Sequence, residues 1–436
     1  MIFKYDYRYT VLKHLVNLGF RCNFRKVVYV NTENIPNDVP LIYAPTHSNA
    51  IIDGLTLVNM SKKQIVFLGR ADIFKGKFLK WFLSGVKVMP IYRLRDGAEN
   101  LEKNIAVFND CKRVLDNDKS ALCLFPEAKH NPKQSLLPLQ KGISRIALPT
   151  EALADFKLNI HIIPVSIFYT DRQGYLSDVY ITFGKPIKVN EYKEMFQKNN
   201  NLAINQLRYD LDDNLRSITV DISNDAYYNF YTYCLDISGE EVAKKHFSKE
   251  KDGIVKAYRT IVNKLNHLYE NNHPRFLEIT DDFGRAYSIL RFNKLNTRDK
   301  IHNPKSLAEI LLRIISLLIT LPVAAYGFIN TLIPIIIYLV LRNKVKDKQF
   351  IASTRTLVAI VIMPIFYTLQ PVILGCVTHN WWLALAYFIS LPLTFYFASY
   401  WRKWFKQIPR MIKVRKFAKK HKEDWEYVLE VTKFEI

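Results

Sequence analysis

The chain has 436 residues and a formal net charge of +22, which leaves room for a catalytic domain and additional parts. Its five cysteines show neither metal-ligand spacing nor a paired framework, so a disulfide-stapled secreted domain is excluded and a reducing compartment is expected. Lys and Arg are spread along the whole chain without a recognisable nucleic-acid-binding module, and a basic surface serves anionic lipid equally well. We therefore expect no nucleic-acid partner.

The first 37 residues open with charged side chains where a secretory signal would need an apolar run, so no signal peptide is expected. Residues 2–20 mix apolar side chains with Lys and Arg in the manner of an amphipathic helix. We assign residues 1–37 to a segment at a membrane surface. A helix that packs its apolar face on a protein core is an equally common explanation of the same pattern.

Residues 38–188 alternate short apolar strands with helical stretches. Strands are predicted over Val88–Ile91, Ala121–Phe125 and Ile160–Phe168. Such alternation is typical of an α/β domain, in which a sheet is flanked by helices. We expect the catalytic core to lie here.

A histidine and an aspartate stand at the end of the first apolar strand. His47 follows Leu41–Pro45, and Asp53 comes six residues later, a spacing that does not bring two side chains to one helix face. Contact therefore requires His47 on a loop, Asn49 as the N-cap of the next helix, and Asp53 in its first turn. Taken alone, a solvated histidine and a capping aspartate explain these residues as well.

In chemical terms, Asp53 would hold one imidazole nitrogen so that the other nitrogen of His47 can take a proton from an attacking hydroxyl. No serine or cysteine stands in an elbow motif nearby. Direct attack by an acceptor alcohol is therefore favoured over a covalent enzyme intermediate.

Three further segments follow in order, Gly85–Arg93, Leu124–Gly142 and Ile162–Ser166. Together with the segment around His47 they resemble the four blocks of the glycerolipid acyltransferase family, over about residues 38–188. The resemblance implies an acyltransferase-type sheet and acyl transfer from acyl-CoA or acyl carrier protein, used as a co-substrate. It implies neither a cofactor nor a metal ion.

The same resemblance assigns roles to individual residues. His47 would be the general base and Asp53 the carboxylate that orients it. Pro164 and Val165 would line the acyl side. The acceptor side, where a phosphate is held by a planar guanidinium and added point charge, would comprise Arg93, Glu127, Lys129 and Lys141.

Two departures from the family pattern stand out. Five residues separate His47 from Asp53 where four are usual, as in some larger glycerol-3-phosphate acyltransferases of fungi and bacteria. Ala128 replaces the usual glycine after Phe-Pro-Glu, which adds a methyl group where the backbone approaches the ligand. The second departure affects the shape of the acceptor pocket rather than the type of reaction.

Residues 189–305 differ in composition from the core that precedes them. They are rich in Asn, Lys and Tyr and show helical periodicity, for example over Glu241–Lys264. We expect a mainly helical insert or subdomain.

The C-terminal third contains two long stretches without Asp, Glu, Lys or Arg, Ile314–Leu341 with 28 residues and Thr356–Trp401 with 46. Both belong in a membrane. Basic residues crowd Arg342–Arg355 and Arg402–Lys422, which the positive-inside rule puts on the cytoplasmic side with the catalytic domain. An even number of crossings in each stretch satisfies that rule.

We therefore predict four short helices within residues 306–401, arranged as two hairpins. Each helix would have about 16 to 20 residues. The first hairpin would turn within residues 322–330 and the second within Cys376–Trp382, and a basic cytoplasmic tail would occupy residues 402–436. The chain is expected to be an integral membrane protein of a bacterial inner membrane or its equivalent.

These features lead to one functional hypothesis and two alternatives. The chain is expected to be a membrane-bound acyltransferase that esterifies glycerol 3-phosphate in phospholipid synthesis. A first alternative acceptor is 1-acylglycerol 3-phosphate or another lysolipid. A second alternative, a non-catalytic membrane lipid-binding protein, has no need of the base His47.

Overall fold

The computed structural model describes residues 5–71, 76, 83–91, 100–297, 304–347 and 349–433. The chain divides into two compact units. The first consists of Met1–Asp221 and Val345–Thr356, and the second of Ile222–Lys344 and Leu357–Ile436. The first unit thus extends beyond residue 188 and includes a segment that lies between the two apolar stretches.

The first unit is built on one mixed sheet, as the alternating pattern predicted. The strands, in sheet order β1-β7-β6-β2-β5-β3-β4 with β8 paired to β6, are β1 Phe24–Val30, β2 Leu41–Pro45, β3 Gln64–Arg70, β4 Val88–Ile91, β5 Ser120–Cys123, β6 His161–Tyr169, β7 Ser177–Phe183 and β8 Ile187–Lys188. Pairs are parallel except those that β6 forms with β7 and β8. The α/β class is therefore confirmed.

Helices cover both faces of this sheet. They are α1 Tyr7–Asn23, α2 Ile51–Met60, α3 Asn100–Leu115, α4 Gly142–Ala152, α5 Lys193–Lys198 and α6 Asn200–Ile218, with 3-10 turns at Thr32–Asn34 and Val189–Tyr192. Alternate residues of β2 enter two different cores, since Ile42 packs in one hydrophobic cluster and Leu41 and Tyr43 pack in the other. Because both faces are buried, the central strand β2 is apolar at every position.

Helix α1 shows how the N-terminal segment is used. Phe20 is buried in the core with β1, which itself belongs to the sheet. Val11, Leu15 and Leu18 of the same helix are 48%, 42% and 59% exposed. The helix is thus confirmed with one face on a protein core, and contact of its exposed face with a membrane stays a prediction.

The parallel arrangement positions the loops that matter for function. Strand β2 pairs in parallel with both β5 and β6, with Ile42 opposite Leu122 and Ile162. The carboxyl ends of these three strands therefore lie at one edge of the sheet. Residues that directly follow the strands meet there, and in open α/β sheets this edge is where ligands bind.

Every regular element that the structure describes in the second unit is a helix. Its helices are α7 Tyr228–His246, α8 Gly253–Asn271, α9 His273–Phe292, α10 Leu307–Asn330, α11 Leu332–Lys344, α13 Met363–Thr378, α14 Trp381–Lys420 and α15 Lys422–Thr432. Helix α12, Phe350–Leu357, continues through a π-helical turn at Val358–Ile362 into α13. The helical insert is confirmed, although residues 247–252 interrupt the predicted periodic stretch 241–264.

Three of these helices are long and apolar enough to cross a membrane, Leu307–Asn330, Phe350–Thr378 and Trp381–Lys420. The break at residues 379–380 lies where the second hairpin was predicted to turn. The predicted length of about 16 to 20 residues for each helix is wrong for the first stretch. Helix α10 continues through Pro322 to Asn330, and α11 has 13 residues, about 20 Å, against about 30 Å of hydrocarbon.

Polar side chains join the apolar helices of the second unit. The Tyr387 hydroxyl of α14 lies within hydrogen-bond distance of Asn330 Oδ1 of α10, at 2.5 Å, and of Gln370 Oε1 of α13, at 3.0 Å, and shares its one proton between them. Gly327 allows close approach of α10 and α14, since a Cβ there would lie 2.4 Å from the Thr394 carbonyl oxygen. Small residues and interhelical hydrogen bonds are how helices associate in lipid.

Ala128, which replaces the usual glycine, lies in a tight turn after β5. Its φ is +55°, and its amide donates to the Phe125 carbonyl at 3.2 Å. A Cβ in this left-handed region costs about 1 to 2 kcal/mol, a cost that glycine avoids. Backbone conformation is thus a physical reason for glycine at this position.

Replacing Ala128 with glycine should relieve that strain. After the greater chain entropy of glycine is subtracted, the free energy of unfolding should rise by about 1 kcal/mol, which is measured as a higher thermal unfolding midpoint. The control is Ala106→Gly, at an exposed position within α3, which should lower stability by about 1 kcal/mol. Equal destabilisation by the two substitutions would contradict the assigned strain.

Candidate active site

The structure brings His47 and Asp53 into direct contact. His47 lies on the loop between β2 and α2, Asp53 lies in the first turn of α2, and His47 Nδ1 is 3.0 Å from Asp53 Oδ2. Asp53 is completely buried, whereas the His47 side chain is 14% exposed. The predicted placement of the two residues is confirmed.

The Asp53 carboxylate accepts four hydrogen bonds. Its Oδ2 accepts from His47 Nδ1 and from the amides of Ser48 and Asn49, at 2.8 and 2.7 Å, and its Oδ1 accepts from the Tyr169 hydroxyl at 2.7 Å. An ionised carboxylate only accepts hydrogen bonds, so the proton of neutral His47 lies on Nδ1. The lone pair on His47 Nε2 is then the basic site.

The predicted N-cap at Asn49 is wrong. Helix α2 begins at Ile51, and its N-cap residue is Ala50, which has a φ of 47° and gives no side-chain cap. The Asn49 side chain donates to the Arg172 carbonyl oxygen at 3.0 Å instead. Asp53 instead accepts hydrogen bonds from the amides of Ser48 and Asn49 and so organises this turn. The strained backbone of Ala50 accommodates the additional residue between His47 and Asp53.

The backbone of His47 is held from the loop after β5. Its amide donates to Glu127 Oε1 at 2.7 Å, and its carbonyl oxygen accepts from the Asn131 amide at 3.0 Å. Glu127 Oε2 accepts from the Leu137 amide at 3.0 Å. Glu127 thus joins the loop of the base to the segment that leads into α4.

Glu127 is 3% exposed, and burial raises the pKa of its carboxyl to about 7, against the opposing effect of the amides of Leu137 and His47. Both of its oxygens are engaged by amides, although each oxygen can accept a further hydrogen bond. The assignment of Glu127 to the acceptor side stays a prediction.

Two aromatic rings enclose the His47 imidazole. The Phe125 ring stacks on it with a centroid distance of 3.9 Å and an interplanar angle of 21°. The His130 ring lies at 3.8 Å with an angle of 50°. Together with Asp53, these contacts fix the ring in position and direction.

A recess opens beside the base. Arg172 closes part of it, since its guanidinium donates to the carbonyl oxygens of Pro132 and Lys133 and to Gln134 Oε1. The basic side chains that line it are Lys133 and Arg172. The described residues around it are Thr46, His47, Ser48, Glu127, Asn131, Lys133, Gln134, Ser135, Leu136, Ile167, Arg172 and Thr219.

The other predicted site residues have different surroundings. Arg93 lies outside the described residues. Lys129 is exposed in the loop after β5, and Lys141 is the residue before α4. Pro164 and Val165 are buried within β6, opposite Ala44 and Pro45 of β2. Within the described ranges, no cluster of His, Cys, Asp and Glu suits a metal ion.

Sequence reasoning missed Tyr169, Arg172 and His130. Tyr169 ends β6 and Arg172 follows it, so both stand at the strand edge where His47 and Glu127 lie. A search for polar residues at the ends of all predicted parallel strands would have found them. His130 belongs to the segment that carries Glu127, but only the folded loop brings it against His47.

Removal of the Tyr169 hydroxyl should weaken the hold on Asp53. Burial, followed by the neighbouring Asp53, raises the pKa of Tyr169, so this hydroxyl keeps its proton and donates. Tyr169→Phe should lower kcat about tenfold, the value of one hydrogen bond to a charged group. Tyr29→Phe, which loses a hydrogen bond to the Thr56 carbonyl, is the matched control and should leave kcat unchanged. Equal kcat values for the two variants would contradict a role of Tyr169 through Asp53.

Comparison with known proteins gives matches of three kinds. The family model named Acyltransferase matches residues 26–168. Glycerol-3-phosphate O-acyltransferase 2 of Saccharomyces cerevisiae is 26% identical over 129 residues, 29% of this chain and 17% of that protein. The crystal structure of a 1-acyl-sn-glycerophosphate acyltransferase from Thermotoga maritima aligns at 20% identity with a TM-score of 0.32, over 47% of this chain and 80% of that one.

The matched segment contains the strand edge described above. Residues 26–168 include His47, Asp53, Glu127 and His130. The present chain spans only 17% of the length of its yeast relative, so the likeness concerns this domain. Residues 26–168 therefore match an acyltransferase domain, and within it the chain is similar to a glycerolipid acyltransferase.

Proposed function

We propose that this protein is a membrane-bound acyltransferase that transfers a fatty acyl group from acyl-CoA or acyl carrier protein to a hydroxyl of glycerol 3-phosphate. The observation that carries the proposal is the contact of His47 with the buried Asp53, beside a recess with basic side chains. Asp53 accepts the Nδ1 proton, which leaves Nε2 of His47 to act as a base.

In the proposed reaction, the acceptor oxygen attacks the thioester carbonyl carbon while His47 Nε2 removes the hydroxyl proton. The tetrahedral intermediate collapses, the carbon–sulfur bond breaks, and the imidazolium returns the proton to the leaving thiolate. Asp53 stabilises the imidazolium and keeps its orientation. The products are the ester and the free thiol, and no covalent enzyme intermediate forms.

The acceptor phosphate requires positive charge near the base. We assign Arg93, Lys129 and Lys141 to this task on the family pattern, and Lys133 on its position in the recess, to which Arg172 adds positive charge. A planar guanidinium binds phosphate through two parallel hydrogen bonds, whereas an ammonium contributes a point charge. Pro164 and Val165 are assigned to the acyl side on the family pattern alone.

Two alternatives compete with this proposal. A lysophosphatidate or another lysolipid acceptor would use the same base. Glycerol 3-phosphate is favoured by the name of the yeast relative and by the stretch Leu136–Leu139, which resembles glycerol-3-phosphate acyltransferases more than lysophosphatidate acyltransferases. A non-catalytic lipid-binding protein would not need a buried carboxylate aligned on a histidine ring nitrogen. The intact pair therefore favours an enzyme.

One assay tests the proposal. Purified protein with radiolabelled acyl-CoA or acyl carrier protein should acylate glycerol 3-phosphate in preference to lysophosphatidate and lysophospholipids. His47→Ala should lower turnover by about two to four orders of magnitude in a folded protein, because the proton acceptor is lost. His14→Ala, at an exposed position on α1, is the control. Near-normal turnover of folded His47→Ala, or no transfer by the wild type, would refute the mechanism.

We further propose that the catalytic unit, the basic segment 342–355 and the basic tail share the cytoplasmic side. Val345–Thr356 belongs to the unit that contains His47, and two membrane-length helices, Phe350–Thr378 and Trp381–Lys420, separate this segment from the tail. Two crossings return the chain to the side on which it started.

Cysteine labelling tests this topology. In a variant without its native cysteines, Asn343→Cys and Lys420→Cys should both resist a membrane-impermeant thiol reagent in intact cells and react after lysis. Lys420 lies at the end of α14 and Asn343 within α11. Labelling of Lys420→Cys from outside, with Asn343→Cys protected, would mean an odd number of crossings and would overturn the topology.

A further inference from the structure

His130 makes one of the closest ring contacts of the base, yet it has no role in the reaction proposed above. Its ring centroid lies 3.8 Å from that of His47. The buried His130 Nδ1 has no hydrogen-bond partner among the described residues. A buried ring nitrogen without a partner favours the neutral ring, because a proton there would have no acceptor.

The electrostatics of the pair agree with a neutral His130. Burial and, to a smaller extent, the neighbouring His47 lower the pKa of the His130 imidazole to about 4, against the weaker influence of Asp53 and Asp347. Two imidazolium rings 3.8 Å apart would repel each other. His130 therefore stays neutral when His47 takes a proton.

A separate segment of the first unit supports the other side of His130. The Phe350 ring meets the His130 ring edge to face, with centroids 5.9 Å apart and an angle of 80°. Two residues on, Ala352 is buried in the hydrophobic core of the same unit. His130 thus lies between the base and a residue of the segment Val345–Thr356.

This segment is fixed by Arg355. Its guanidinium donates to Asn23 Oδ1 at 2.7 Å and to the carbonyl oxygens of Gln173 and Gly174, both at 3.0 Å. It also lies over the Tyr175 ring, 5.3 Å from the centroid. Phe350 is therefore held within the catalytic unit and can act as a fixed support.

We propose that His130 is a positioning residue for the base, whose ring, supported by Phe350, presses the His47 imidazole against Phe125 and keeps Nε2 directed at the acceptor hydroxyl. The hydrogen bond to Asp53 holds the imidazole at one atom, Nδ1, and does not by itself set the tilt of the ring. Contacts with the Phe125 and His130 rings limit this tilt. The role rests on the proposed function, since it needs a hydroxyl for His47 to deprotonate.

The proposal requires the shape of the ring at residue 130 and not its nitrogen atoms. His130→Ala should lower kcat about ten- to a hundredfold, the effect of a misplaced catalytic group, with little change in KM for the acceptor. His130→Phe, which keeps a flat ring, should restore most of kcat. Phe350→Ala, which leaves His130 in place without its support, should lower kcat by a smaller factor.

A chemical readout accompanies the kinetics. Diethyl pyrocarbonate modifies accessible imidazole rings, and peptide mass spectrometry measures the modification of His47. His130→Ala should accelerate modification of His47, whereas His130→Phe and the exposed control His14→Ala should not. This readout does not depend on activity, so a wild type that transfers no acyl group would refute the proposed function while the contact of the two rings was still tested.

Three results would overturn the proposal. They are an unchanged kcat in His130→Ala, a His130→Phe variant as impaired as His130→Ala, and a loss confined to KM. The second result would mean that a ring nitrogen of His130 takes part in proton transfer. Folding is checked by gel filtration and thermal unfolding. Should His130→Ala fail to fold, an unchanged kcat in Phe350→Ala would contradict the proposal.

Discussion

The site depends on one buried carboxylate. Asp53 has no exposed surface, and a buried charge is tolerated only where hydrogen bonds replace the water it has lost. Four donors do so, two from the backbone of the preceding turn, one from His47 and one from Tyr169. The hydrogen bonds that the buried Asp53 carboxylate requires therefore determine the path of the chain before α2, the tautomer of the base and the position of the end of β6.

The parallel sheet supplies the second half of the arrangement. Because β5 and β6 flank β2 in parallel, the loops that follow the three strands all begin at the same edge of the sheet. Glu127 and Asn131 then satisfy the backbone amide and carbonyl of His47. The base is consequently fixed at its backbone from one neighbouring loop and at its side chain from another, which is the preorganisation that general base catalysis requires.

Local patterns in the sequence were enough to predict some features and not others. The strands, the loop position of His47 and the placement of Asp53 follow from apolar runs and spacing, and the structure confirms them. The place of Tyr169 at a strand end could have been found in the sequence, but its contact with Asp53 could not, since the two residues are 116 apart and only the pairing of β2 with β6 brings them together. Asn49 looked like a cap because residue type was considered without the competing acceptor, Asp53.

The membrane region shows a similar limit. The turn at residues 379–380 was marked by polar residues within an apolar stretch, and it was predicted. The turn of the first stretch was expected within residues 322–330, yet Pro322 lies inside α10 and the helix ends at Asn330. Proline is a weaker signal in apolar helices, where neighbouring helices satisfy the backbone groups that it frees.

The tautomer of His47 tests the central claim most directly. Among the ten histidines of the chain, the ¹⁵N signals of His47 are identified by their loss in His47→Gln. At a pH at which the ring is neutral, the structure predicts a protonated Nδ1 and an unprotonated Nε2, because Asp53 accepts the Nδ1 proton. A ring protonated at Nε2, with a bare Nδ1 facing Asp53, would contradict the assignment of His47 as the base.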